Sequence, residues 1–205
     1  MNTNVKKFIN MVKKDTAKHD IKVRFIDKEH IMVQKSRVSG YFAEDSKELV
    51  CTTKKPESEW LEIFIHEFSH YEQWKENSYT WKLSVLPDGE DSSDLLFSWI
   101  NGSKDFSKKK LNEIVWRARM LELDCEKRAV KNIKKYKLPI DIYAYIQKAN
   151  TYVLFHNYVK IYRKWWRRGH APYKMKDVYS QFPDRFLKNY TNIAKKYVDL
   201  FNEYC

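Results

Sequence analysis

Residues 63–74 read IFIHEFSHYEQW and hold His66 and His70 four positions apart, with Glu67 between them. Four residues of α-helix turn through ~400°, so both imidazoles leave one face about 6 Å apart and can share one tetrahedral ion. Glu67 is placed to take a proton from a zinc-bound water. Leu61, Phe64, Ile65, Phe68 and Tyr71 form one apolar stripe of this helix, and Ile63 and Trp74 join the His-Glu-His group on the other side. A helix apolar on both sides is buried, and titratable side chains on it need partners such as a metal. The alternative is a surface helix carrying two unrelated histidines.

Pro56 followed by Glu57-Ser58-Glu59 opens this helix, which runs to about Glu76. Upstream, MNTNVKKFINMVKKD spaces Val5, Phe8, Ile9 and Val12 as one helical face and lacks the apolar centre of a signal peptide. Between the two helices lie KVRFI (22–26), HIMVQ (30–34), RVSGYFA (37–43) and KELVCTT (47–53), short β-branched or aromatic runs separated by polar turns. They predict a small antiparallel sheet.

Downstream, 77–110 lacks sustained periodicity and reads as an irregular insertion with one short helical piece near 95–100. Its centre, with Asp88, Glu90, Asp91 and Asp94, is acidic. The part from 111 to 205 reads as helical, with helices over 108–136, 141–167 and 184–203. The fold class expected is α+β, a small sheet followed by a mostly helical remainder, in a single domain over 1–205.

A catalytic metal site needs a third protein ligand and leaves one position open. In RARMLELDCEKRAVKNI (117–133), Glu122 and Glu126 stand one turn apart at the edge of the stripe Leu111, Ile114, Val115, Ala118, Leu121, Cys125, Ala129 and Ile133. Carboxylates on a buried stripe must be paired, hydrated or metal-bound, and the two histidines supply a reason for both. Either could be the ligand. Cys125 reads as a small core thiol, with metal ligation as its alternative.

His66-Glu67-x-x-His70 followed by Glu122-x-x-Cys125-Glu126 resembles the gluzincin pattern of zinc metallopeptidases. The order of elements is similar to small phage-encoded zincins and to ImmA/IrrE-type peptidases, over roughly residues 20–135. The resemblance implies a zincin-like fold, one zinc per chain on His66, His70 and Glu122, and Glu67 as general base. It implies that Glu126, standing where the family has Asp, hydrogen-bonds His66. It also implies that Ser39, Gly40, Tyr41 and Phe42 form a sheet edge that pairs with an extended peptide substrate; an inner strand with a glycine bulge is the other reading. Tyr152 and His156, four apart on a helix, are candidates to stabilise a tetrahedral intermediate, as are Tyr143 and His170.

The net charge of +12 raises the prospect of an acidic partner. Two basic stretches, 127–137 and 160–176, the second interleaved with Trp and Tyr, have the composition that grips nucleic acid. The rival readings are therefore a DNA-associated protease similar to SprT-like enzymes and a non-catalytic protein of zincin fold; an intact Glu67 argues against the latter. Three scattered cysteines make no disulfide framework and suit a reducing compartment, so a cytoplasmic location is expected, in the host if the protein is phage-encoded. No apolar run approaches the ~20 residues of a membrane span.

Overall fold

The computed structural model describes residues 1–33 and 36–204. Gln34, the end of the expected strand 30–34, lies outside the described residues, as do Lys35 and Cys205. The chain is mixed α and β and forms two compact units, Met1–Ser78 with Cys125–Asp141, and Tyr79–Asp124 with Ile142–Cys205.

The first unit opens with α1 (Thr3–Ala17), capped by the Asn2 side chain, which accepts from the Asn4 N–H at 2.8 Å. Among the described residues five short strands follow: β1 (Lys22–Ile26), β2 (Ile31–Val33), β3 (Ser36–Val38), β4 (Gly40–Ala43) and β5 (Glu48–Thr52). The sheet departs from the antiparallel expectation. Its order is β1-β5-β4, with β1 parallel and β4 antiparallel to β5, while β2 and β3 pair separately as an antiparallel hairpin. The run Leu49-Val50-Cys51 is fully buried and continuous rather than alternating, which is the pattern of a central strand with neighbours on both sides. Turn chemistry explains β4 and β5, since Lys47 takes the left-handed conformation (φ 56°) that closes the hairpin. The expected strand 37–43 divides at Ser39, whose carbonyl accepts from the Thr52 N–H at 2.8 Å while β3 turns away to β2.

Helix α2 (Glu57–Lys75) buries Leu61, Phe64, Ile65, Phe68 and Tyr71 against this layer. Its other face is half-buried, not fully buried as the sequence pattern suggested, so His66, Glu67 and His70 keep access to solvent. Phe8 of α1 sits edge-on to both Phe64 and Phe68, with ring centroids 5.8 and 5.7 Å away. Asp15 accepts from Lys75 at 2.5 Å and from the Tyr71 hydroxyl at 3.3 Å, tying the end of α1 to the end of α2. The C-terminal half of α5 (Lys108–Tyr136) completes the unit. There Asn132 donates to Glu72 at 2.7 Å and Arg128 pairs with Glu76 at 2.6 Å.

The second unit contains α3 (Tyr79–Ser84), α4 (Ser92–Ile100), the first half of α5, α6 (Ile142–Tyr162), α7 (Lys176–Tyr179) and α8 (Lys195–Tyr204). The insertion 77–110 is thus more regular than expected. Six-residue α3 is too short to produce a periodic pattern, and Asp91 caps α4 by accepting from Ser93 and Asp94 N–H groups at 2.7 and 3.2 Å. Its neighbours Asp88 and Glu90 pair with Lys110 and Lys104. Helix α6 ends at Tyr162, short of the expected 167, where Arg163 turns left-handed (φ 51°) and its guanidinium donates to the Trp99 carbonyl at 2.7 Å. The expected helix 184–203 is confined to α8. Over 183–190 the backbone is held instead by α6: Asn150 donates to the Pro183 and Arg185 carbonyls at 2.7 and 2.9 Å, and Asn157 to the Tyr190 carbonyl at 2.8 Å. The two basic stretches fall in different units. Among the described residues no helix is long and apolar enough to cross a membrane.

Phe8 carries much of the first unit's packing because it is fully buried and meets three aromatic rings, Tyr136 being the third. Phe8→Ala is expected to destabilise that unit by about 3–5 kcal/mol, read from urea unfolding. A loss below about 1 kcal/mol would place the core elsewhere.

Candidate metal centre

The helical spacing of His66 and His70 brings their Nε2 atoms to 3.2 Å from one another. A tetrahedral ion ~2.0 Å from each nitrogen sets the pair ~3.3 Å apart, so the separation fits a shared ion. The far side of each ring is held. His66 Nδ1 lies 3.2 Å from Glu126 Oε1, and His70 Nδ1 lies 2.9 Å from Gln73 Oε1. A carboxylate and an amide oxygen only accept, so both Nδ1 atoms carry a proton, and in two neutral rings both Nε2 lone pairs then point at each other. Two converging lone pairs repel unless a proton or a cation lies between them.

Glu126 is buried, only 6% exposed, and its Oε2 has no hydrogen-bond partner among the described residues. A buried carboxylate left half-satisfied is costly unless positive charge accumulates nearby. Burial opposes a charged His66, but electrostatic and hydrogen-bond interactions with Cys125 and Glu126 outweigh it and hold the imidazole well above its usual range. The environment therefore favours positive charge on this pair of rings, whether it arrives as a proton or as a metal ion.

Cys125 stands beside His66 as well. Its Sγ donates to the His66 carbonyl at 3.3 Å and lies 3.6 Å from Nδ1. The ligand atoms of His66, His70 and Cys125 all lie within 4.8 Å of one another, a group that could hold a metal ion. The thiol is on the Nδ1 side of His66, whereas the imidazole lone pairs converge on the Nε2 side.

Comparison with family models, with curated proteins and with solved structures finds no match to this chain.

Glu67 projects from the same face of α2 toward the sheet. A Cβ at Gly40 would lie 3.0 Å from Glu67 Cγ, 2.7 Å from Ile63 Cγ2 and 2.9 Å from the Val50 carbonyl oxygen. The missing side chain lets the start of β4 close onto the stem of Glu67. β4 is the outer strand next to β5, Phe42 packs on Tyr71 and Trp74, and the Tyr41 hydroxyl donates to Glu48 at 2.9 Å. Burial and then the Glu67 charge push the Cys51 thiol up to about 12, which leaves that cysteine an unreactive core residue.

Glu122, Tyr152 and His156 fall in the second unit, where they line one cavity of about 60 Å³ together with Leu96, Phe97 and Trp165. His156 is buried, and its Nδ1 lies 3.1 Å from the Tyr152 carbonyl one turn back. Burial lowers its pKa despite the Glu122 charge, so it is neutral. Tyr143 and His170 are exposed. Sequence reasoning missed Gln73, although its position three residues after His70 on one helix is a spacing that brings side chains together.

Glu126 and Gln73 orient the two imidazoles by different means, one with charge and one without. Glu126→Gln and Gln73→Leu are each expected to weaken metal binding roughly 10 to 100-fold in a competitive chelator titration, with the fold retained. Unchanged affinity in both variants would mean that the metal is held elsewhere.

Proposed function

We propose that the protein is a zinc-dependent peptidase whose centre is built on His66, His70 and Glu67. The reading is supported above all by the two Nε2 atoms 3.2 Å apart, each ring locked through its Nδ1. A bound zinc ion supplies Lewis acidity, acidifying water and polarising the scissile carbonyl. Glu67 then takes a proton from the attacking water and passes it to the leaving amine. The outer strand β4, with Ser39 just before it, offers backbone groups to an extended peptide, and the contact between Gly40 and the Glu67 stem keeps that strand beside the base.

The resemblance assigns the third ligand to Glu122, one helical turn before Glu126 on α5. In that pattern the ion would be held by two neutral imidazoles and one carboxylate, which would leave a position for water. Cys125 is the competing candidate because of its proximity to both histidines. Its thiol is already engaged with the His66 carbonyl, and this favours a structural role.

Three variants separate these roles. Glu67→Gln is expected to keep its zinc and lose peptide hydrolysis by several orders of magnitude, since it removes a base and no ligand. Glu122→Gln is expected to lose zinc and activity together, and Cys125→Ala to keep both. Hydrolysis of a peptide library by Glu67→Gln at the parent rate would refute the mechanism, and metal loss on Cys125→Ala alone would exchange the third ligand.

A further inference from the structure

Arg119, on α5 in the second unit, is only 4% exposed. A guanidinium stays protonated in proteins, so its charge is buried rather than titrated away, and a buried charge is costly without a partner of opposite sign. Arg119 donates through Nη1 to Asn157 Oδ1, while its Nε is buried with no partner among the described residues. No carboxylate pairs with it among those residues.

The acceptor it does have is fixed in place and neutral. Asn157 Nδ2 donates to the Tyr190 carbonyl at 2.8 Å, and the Tyr190 hydroxyl in turn donates to Asn150 Oδ1. Asn150 spends its own amide on the Pro183 and Arg185 carbonyls. This buried chain of amides orients Arg119 but does not neutralise it.

Two lysines stand within electrostatic reach of it, and so does Glu122, whose charge acts together with that of Arg119 on His156. Lys160 lies three residues after Asn157 on the same face of α6. Burial, then repulsion from Arg119 and from Lys108, lowers the pKa of the Lys160 ammonium. Lys108 is exposed, Lys160 half-buried and Arg119 buried, and Lys108 stands three helical turns before Arg119 on α5. A polynucleotide backbone does not reach a side chain this deep.

We propose that Arg119, Lys160 and Lys108 form a binding site for a small oxyanion, a phosphate or carboxylate group, with Arg119 Nε as its innermost donor. The guanidinium fork matches two oxygens of such a group, and Lys160 supplies a point charge to another. The site belongs wholly to the second unit and does not depend on the metal centre.

The test uses the full chain, with thermal midpoints and calorimetric titration at constant ionic strength set by sodium chloride. Inorganic phosphate and N-acetylglycine are the probes, and N-acetylglycinamide is the uncharged control. A saturable rise in midpoint with one or both anions and none with the amide is expected, and the stronger anion identifies the ligand class. Arg119→Met is expected to abolish the response, and Lys160→Gln to weaken binding about tenfold, the loss of one charge-assisted contact. Equal midpoints in phosphate, N-acetylglycine and chloride overturn the proposal, as does a parent-like response in Arg119→Met. Should that variant not fold, unchanged affinity in Lys160→Gln overturns it.

Discussion

Two imidazoles locked with their Nε2 lone pairs 3.2 Å apart are the constraint around which the first unit is organised. The arrangement is repulsive between two neutral rings and becomes favourable when a proton or a metal ion is shared. Helix spacing brings the rings to one face, but spacing alone leaves each free to rotate about its χ angles. Glu126 from α5 and Gln73 from α2 remove that freedom. The buried Glu126 carboxylate adds a negative charge that is best placed beside a positively charged ring pair.

The rest of the unit holds these parts in register. α1 packs Phe8 between Phe64 and Phe68, fixing α2 from below, and Asp15 anchors its C-terminal end through Lys75 and Tyr71. α5 is joined to α2 at Glu72, Glu76 and His66 by Asn132, Arg128 and Glu126. Gly40 closes the sheet onto Glu67. Each contact acts on the face of α2 that carries the candidate site, or on the one directly behind it.

The helices with long apolar stripes, α1, α2 and α5, are legible in the sequence because a 3.6-residue period repeated over many turns leaves little ambiguity. The strands are legible as segments, but their order is not, because the Leu49-Val50-Cys51 run announces a central strand without naming its neighbours. Residues 183–194 carry a helix-like pattern and are not helical, since Asn150 and Asn157 bind their carbonyls from another element. Such tertiary hydrogen bonds leave no local trace. The same reason hides Gln73 and the buried environment of Arg119: a single polar residue in an amphipathic helix reads alike whether it orients a ligand or faces water.

X-ray absorption at the zinc edge on the purified full chain measures directly whether zinc is bound and which atoms would surround it. The account predicts stoichiometric zinc with nitrogen and oxygen neighbours at about 2.0 Å, an imidazole outer-shell pattern from two histidines, and no sulfur. A sulfur neighbour at about 2.3 Å would bring Cys125 into the centre in place of a carboxylate, and absence of zinc would contradict the account altogether.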